Sequence, residues 1–94
     1  MAEISSIVET LEELRDAVWA EDRDEALAGA AVLALQLGET FGLNPRIWRA
    51  TYPVLEKLRT SIDSRDFEEA NVLTLAFLAK FRSIAARAEQ GTRP

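Results

Sequence analysis

A nine-residue pattern occurs twice in this chain. Thr10-Leu-Glu-Glu-Leu-Arg-Asp-Ala-Val18 reads against Val54-Leu-Glu-Lys-Leu-Arg-Thr-Ser-Ile62, with Leu11/Leu55, Glu12/Glu56, Leu14/Leu58, Arg15/Arg59 and Val18/Ile62 agreeing in type. An acidic turn with an Arg-Asp pair follows each copy, Arg23-Asp24 and Arg65-Asp66. An apolar segment then carries Val-Leu-x-Leu at Val32–Leu35 and again at Val72–Leu75. Such a recurrence constrains the fold, because each unit is one supersecondary element that must bury its apolar face against the other. The expected fold is all-α, two diverged helical hairpins forming a four- to five-helix bundle.

Helix one is predicted over Ile4 to Trp19, where Ile4, Ile7, Val8, Leu11, Leu14 and Val18 recur at spacings of three and four. Asp22 or Asp24 can cap the next helix. Helix two, from Asp24 to Phe41, has no charged residue from Ala26 to Leu37, so it has no hydrophilic face over three turns and needs cover on several sides. Gly42 is expected in a left-handed end position, and Asn44-Pro45 supplies a cap and a first-turn proline. Pro53 is expected to kink the third helix or split it into 45–52 and 53–62. Helix four runs from Asp66 to Ala88 on a stripe of Phe67, Ala70, Leu73, Phe77, Phe81 and Ile84. The 94 residues make one domain: hairpin one at about 4–41, a connector at 42–53, hairpin two at about 54–89, and a frayed tail at 90–94. Helices two and four, the more apolar of each pair, are expected at the centre.

Charge divides along the same line. Residues 1–41 hold ten acids against two bases, a net of −8, whereas residues 42–94 hold six acids against nine bases, a net of +3. The halves are thus electrostatically complementary, which favours their docking on each other within one chain or between two. The first residues have neither the basic region nor the apolar core of a signal peptide, and the longest apolar run is too short to span a bilayer, so a cytoplasmic protein is expected.

With no His and no Cys in the chain, the usual general base, thiol nucleophile and most transition-metal ligands are missing. No Gly-rich phosphate loop is present, and the Ser and Thr residues have no activating base beside them. The expectation is therefore a non-enzyme without catalytic residues, metal or cofactor. One enzymatic alternative stands. Glu9-x-x-Glu12 and Glu21-x-x-Asp24 resemble the acidic pairs of the all-α nucleotide pyrophosphohydrolases, which implies a magnesium-dependent nucleotide hydrolase. Eight residues separate the two motifs and the second falls on a turn, a poor geometry for one metal cluster. The acidic turn Arg65-Asp-Phe-Glu-Glu-Ala70 also resembles the turn of tetratricopeptide repeats, but the period of about 40 to 44 residues departs from theirs and no family is assigned.

A binding role is the better-supported reading: a non-catalytic protein–protein interaction module, regulatory, adaptor or immunity-type, that self-associates. The surplus apolar surface of helices two and four marks Leu27, Ala31, Leu35, Leu75 and Leu78 for a homodimer contact. When helix one is aligned to the second half of helix three, hairpin one has an extra Trp19-Ala20 before its turn, and Gly42 to Pro53 has no counterpart in hairpin one. Those unmatched segments concentrate Trp and Arg, the residue types that dominate binding hot spots, so Trp19, Arg46, Trp48, Arg49 and Tyr52 are the candidate partner contacts. A nucleic-acid accessory role through the same connector residues and Lys80, Arg82, Arg87 and Arg93 is a weaker alternative, given a pI near 4.7. A membrane role is not expected.

Overall fold

The computed structural model describes the backbone of residues 3–91 and the side chains of residues 3–87. The described residues form four helices and no strand: α1 (Ile4–Trp19), α2 (Arg23–Phe41), α3 (Pro45–Asp63) and α4 (Phe67–Gly91). Among them no helix is long and apolar enough to cross a membrane. Packing runs α1 on α2, α2 on α3, α3 on α4 and α4 back on α1. The helices run alternately up and down, as Arg23 at the start of α2 bonding Asp63 at the end of α3 requires, and as does Glu12 meeting Arg82 across α1 and α4. α2 and α4 therefore lie across a diagonal. They do not form a centre of their own, because all four helices contribute to one interior, in which Phe41 of α2 and Phe81 of α4 have ring centroids 6.0 Å apart.

That interior is built from Ile7, Leu11, Leu14 and Val18 of α1, Leu33 and Leu37 of α2, Leu55, Leu58 and Ile62 of α3, and Phe77, Leu78 and Phe81 of α4. Burying each such side chain stabilises by about 1.5–3 kcal/mol. Three of its polar members are satisfied locally: Thr10, Ser61 and Thr74 each donate to the carbonyl four residues back, of Ser6, Lys57 and Ala70. α1 and α2 approach closely at Gly29, where an added Cβ would lie 3.3 Å from Cδ1 of Leu14.

The two turns at 20–22 and 64–66 are built alike. Ala20, Glu21 and Asp22 donate backbone N–H bonds to Asp16, Val18 and Ala17; Ser64, Arg65 and Asp66 donate to Thr60, Ile62 and Ser61. Glu21 and Arg65 are left-handed, with φ of 54° and 62°. Asp22 then accepts from the Glu25 amide and Asp66 from the Glu69 amide, capping α2 and α4. Each member of the second set lies 44 positions after its counterpart, and so do the buried residues Leu58 after Leu14, Phe77 after Leu33 and Phe81 after Leu37. This register removes the two-residue insertion expected before the first turn. Trp19 stands opposite Asp63 without an insertion, and Trp48, Arg49 and Tyr52 stand opposite Ile4, Ser5 and Val8, because the left-handed residue and the capping Asp set the turn rather than the arginine.

Three other expectations change. α3 runs unbroken through Pro53 instead of splitting there. Pro53 and Arg49, whose carbonyl loses its amide partner, lie on the exposed side. The proline costs about 3 kcal/mol, which burial of Leu55, Leu58 and Ile62 together outweighs. Gly42 is right-handed, φ −60°; glycine is needed there because a Cβ would collide with the carbonyl oxygen of Gly38. α4 continues past Ala88 to Gly91, so the helix takes in the start of the expected tail, and 92–94 lie outside the described residues.

Leu14→Ala and Leu58→Ala are each expected to cost about 2–5 kcal/mol in urea unfolding, whereas Val32→Ala on the exposed side of α2 should cost under about 1 kcal/mol. Glu21→Gly and Arg65→Gly should stabilise by up to about 1 kcal/mol by relieving the left-handed strain, and Asp22→Ala and Asp66→Ala should each cost about 1 kcal/mol; thermal melts followed by circular dichroism measure all four.

Candidate functional site

A groove of about 650 Å3 opens between α2 and α3. Its α2 wall is a strip of small residues, Ala30, Ala31, Ala34 and Gly38, at helical spacings that keep them on one side. Facing them along α3 are Trp48, Tyr52, Leu55, Glu56 and Arg59, also three and four apart. The groove exists because this pairing is unequal. Small side chains on α2 cannot fill the space beside large ones on α3. Trp48 reaches over Gly38, with Cη2 4.0 Å from where a Cβ would stand, and Tyr52 lies against Trp48 with ring centroids 5.6 Å apart.

Ala30 and Leu55 form the buried floor, and Leu35 stands on the lip, 67 % exposed. The rim is polar. Arg59 bonds Glu56 at 3.2 Å, and Glu39 closes the side nearest the α2–α3 turn. Arg46 and Arg49, both exposed, form no ion pair among the described residues and lie on the first turns of α3 outside the groove lining. An apolar trough bounded by Trp, Tyr and Arg has the composition of a contact surface in which a few anchors supply the energy and the charged edge selects the partner.

Of the expected partner contacts, Trp48 and Tyr52 line this groove and Arg46 and Arg49 share its helix. Trp19 does not join them. It is 73 % exposed and sits in a separate hollow with Arg15, Asp16, Ala20 and Leu75, on the α1–α4 side. Of the expected self-association residues, Ala31 and Leu35 border the groove, Leu75 is exposed on α4, and Leu27 packs partly against the core. Leu78 is corrected: it is 1 % exposed, inside the bundle, because its position on α4 falls between those of Thr74 and Phe81 on the inner face.

Sequence reasoning missed Gly38, Leu55, Glu56 and Arg59. The signal was present as the stripe Trp48, Tyr52, Leu55, Glu56, Arg59, but a helix expected to break at Pro53 hides it.

The acidic residues are dispersed. Glu12 bonds Arg82 at 3.0 Å, Glu21 occupies the left-handed turn position, and Asp24 lies 3.6 Å from Arg23. Among the described residues no three acidic side chains converge where a metal ion could be held. Of the basic residues named for nucleic acid, Arg82 is engaged with Glu12, and Arg93 lies outside the described residues.

These features define a small helical bundle with an apolar surface groove. No family model, curated protein or solved structure matches the chain.

Gly38→Leu is expected to fill the groove beside Trp48. Binding of an apolar fluorescent dye should fall several-fold, while helix stability is unchanged or rises by about 1 kcal/mol from removal of a mid-helix glycine; dye titration and melting of the same sample check both.

Proposed function

We propose that this chain is a non-catalytic protein–protein interaction module of the regulatory or adaptor kind, acting in the cytoplasm, and that its α2–α3 groove receives an amphipathic helix of another protein. The observation that carries this reading is the exposed apolar trough walled by Trp48 and Tyr52, with the exposed Arg46 and Arg49 on the same helix. The α2 lining from Ala30 to Glu39 extends about 14 Å at 1.5 Å per residue. That is two and a half turns, the reach of three apolar anchors at positions i, i+3 or i+4 and i+7 of a docked helix. An acidic residue at one end of the incoming helix would meet Arg46 and Arg49.

A duplicated hairpin is the origin that best accounts for the matched turns. It also explains the groove: divergence of the two halves left small residues on α2 facing large ones on α3. A bend at Pro53, one residue beyond Tyr52, would tilt the aromatic end of α3 toward the groove.

Purification of the tagged chain from its native host tests this reading with three forms: wild type, Trp48→Ala with Tyr52→Ala, and Trp19→Ala. A partner in equimolar amount is expected with wild type and Trp19→Ala, reduced at least ten-fold with the double variant. Recovery of the chain without any other protein, or a partner retained by the double variant, refutes the proposal.

A further inference from the structure

The outer face of α4 carries Val72, Leu75, Ala76 and Ala79, all exposed, with Val72 at 58 % and Leu75 at 42 %. Exposed Trp19 extends this patch from α1, since it shares a hollow with Leu75. The same face is acidic at its start, with Glu68 and Glu69, and basic at its end, with Lys80, Arg82 and Arg87. The outer face of α2, 44 positions earlier, is apolar in the same way through Ala28, Ala31, Val32 and Leu35. Its ends differ. Asp24 and Glu25 lie at one and Glu39 at the other.

We infer that the α4 face pairs with a second copy of this chain, antiparallel about a two-fold axis passing between Leu75 and Ala76. Size complementarity selects this register. It sets Val72 level with Ala79 of the other copy, a large side chain beside a small one, and brings the two Leu75 side chains together on the α1 flank, whereas parallel pairing sets Val on Val along the whole seam. Charge selects the same arrangement. Antiparallel α4 helices bring the acidic start of one copy to the basic end of the other, Glu68 toward Arg82 on the α1 flank and Glu69 toward Lys80 on the α3 flank, at both ends of the seam. Glu69 and Arg82 keep their present partners Lys57 and Glu12 alongside, at 3.3 and 3.0 Å, forming charge networks in place of isolated pairs. The α2 face cannot pair with itself this way. Its antiparallel register sets Asp24 against Glu39 of the other copy, and like charges in contact oppose association. An α4–α4 contact is isologous and closes at two copies, so it builds a dimer and no filament. Trp19 of each copy lies on the α1 side of this seam, beside Leu75 and near the axis, where it would be covered. This pairing goes beyond the groove reading, since it uses the opposite side of the bundle and leaves the α2–α3 groove open.

Sedimentation and cross-linking of the full chain test it. Wild type is expected to sediment at twice the 10.5 kDa chain mass. Leu75→Glu should sediment at the single-chain mass with unchanged helical circular dichroism, and Leu35→Glu on α2 should remain a dimer. The chain has no cysteine, so single cysteines report the face without interference. Ala76→Cys should form a covalent dimer under mild oxidation, and Val32→Cys, its counterpart on α2, should not. A monomeric wild type, a dimer that survives Leu75→Glu, or cross-linking that is no faster through Ala76→Cys than through Val32→Cys overturns the inference. None of these outcomes bears on whether Trp48 and Tyr52 hold a partner, so the two proposals fail separately.

Discussion

Leu14, Leu33, Leu58 and Phe77 project from four different helices into one interior, and each helix in that ring packs mainly on two neighbours, with Phe41 of α2 and Phe81 of α4 meeting across the diagonal. The arc of a helix that two neighbours can cover is limited. For α1 and α3 the limit is harmless, because their outer sides carry Glu9, Glu13, Asp16, Lys57 and Arg59 and are at home in water. For α2 and α4 it is not. Their apolar stripes are wider than the covered arc, so Leu35 and Val32 on one and Val72 and Leu75 on the other are left exposed. The exposed apolar surface of α2 and α4 is the overflow of helices too apolar for the ring that holds them.

Two devices keep the ring in register. One is the three-residue connection, in which a left-handed Glu21 or Arg65 reverses the chain and the next residue, Asp22 or Asp66, caps the following helix. The other is size matching across neighbours, seen where Gly29 lets Leu14 close in. Where the matching fails, a groove opens. Ala30, Ala31, Ala34 and Gly38 face Trp48 and Tyr52 and do not fill the space beside them. The acids that resemble a magnesium motif meet a different fate: α1 presents Glu9 and Glu12 along its own side while Glu21 is taken by the turn, so backbone geometry separates them.

Much of the fold was legible because its signals are local. α1 from Ile4 to Trp19, the Asn44 cap with Pro45, and the ends of α2 follow from spacing and capping chemistry that neighbouring residues decide between themselves. The misreadings share one cause. Continuity of α3 through Pro53 depends on what Leu55, Leu58 and Ile62 gain by burial elsewhere. The conformation of Gly42 depends on the carbonyl of Gly38, and the repeat register depends on which residue turns left-handed. None of these is visible in residue types alone. The site was half legible: Trp48, Tyr52, Arg46 and Arg49 stand out by type, but Gly38 matters only because Trp48 lies across it.

By itself the sequence determined that the described chain is helical, that its first 41 residues and the remainder carry opposite net charge, and that helices two and four are more apolar than one and three. Periodicity, caps and composition act over a few residues, so they survive without a fold. Tertiary structure alone decided which apolar residues face outward. Leu78 went inside and Leu75 outside, three positions apart on one helix, because the direction of α4's neighbours sets its inner arc. It also decided that Trp19 and Trp48 belong to different surfaces, since the ring places the end of α1 against α4 and the start of α3 against α2.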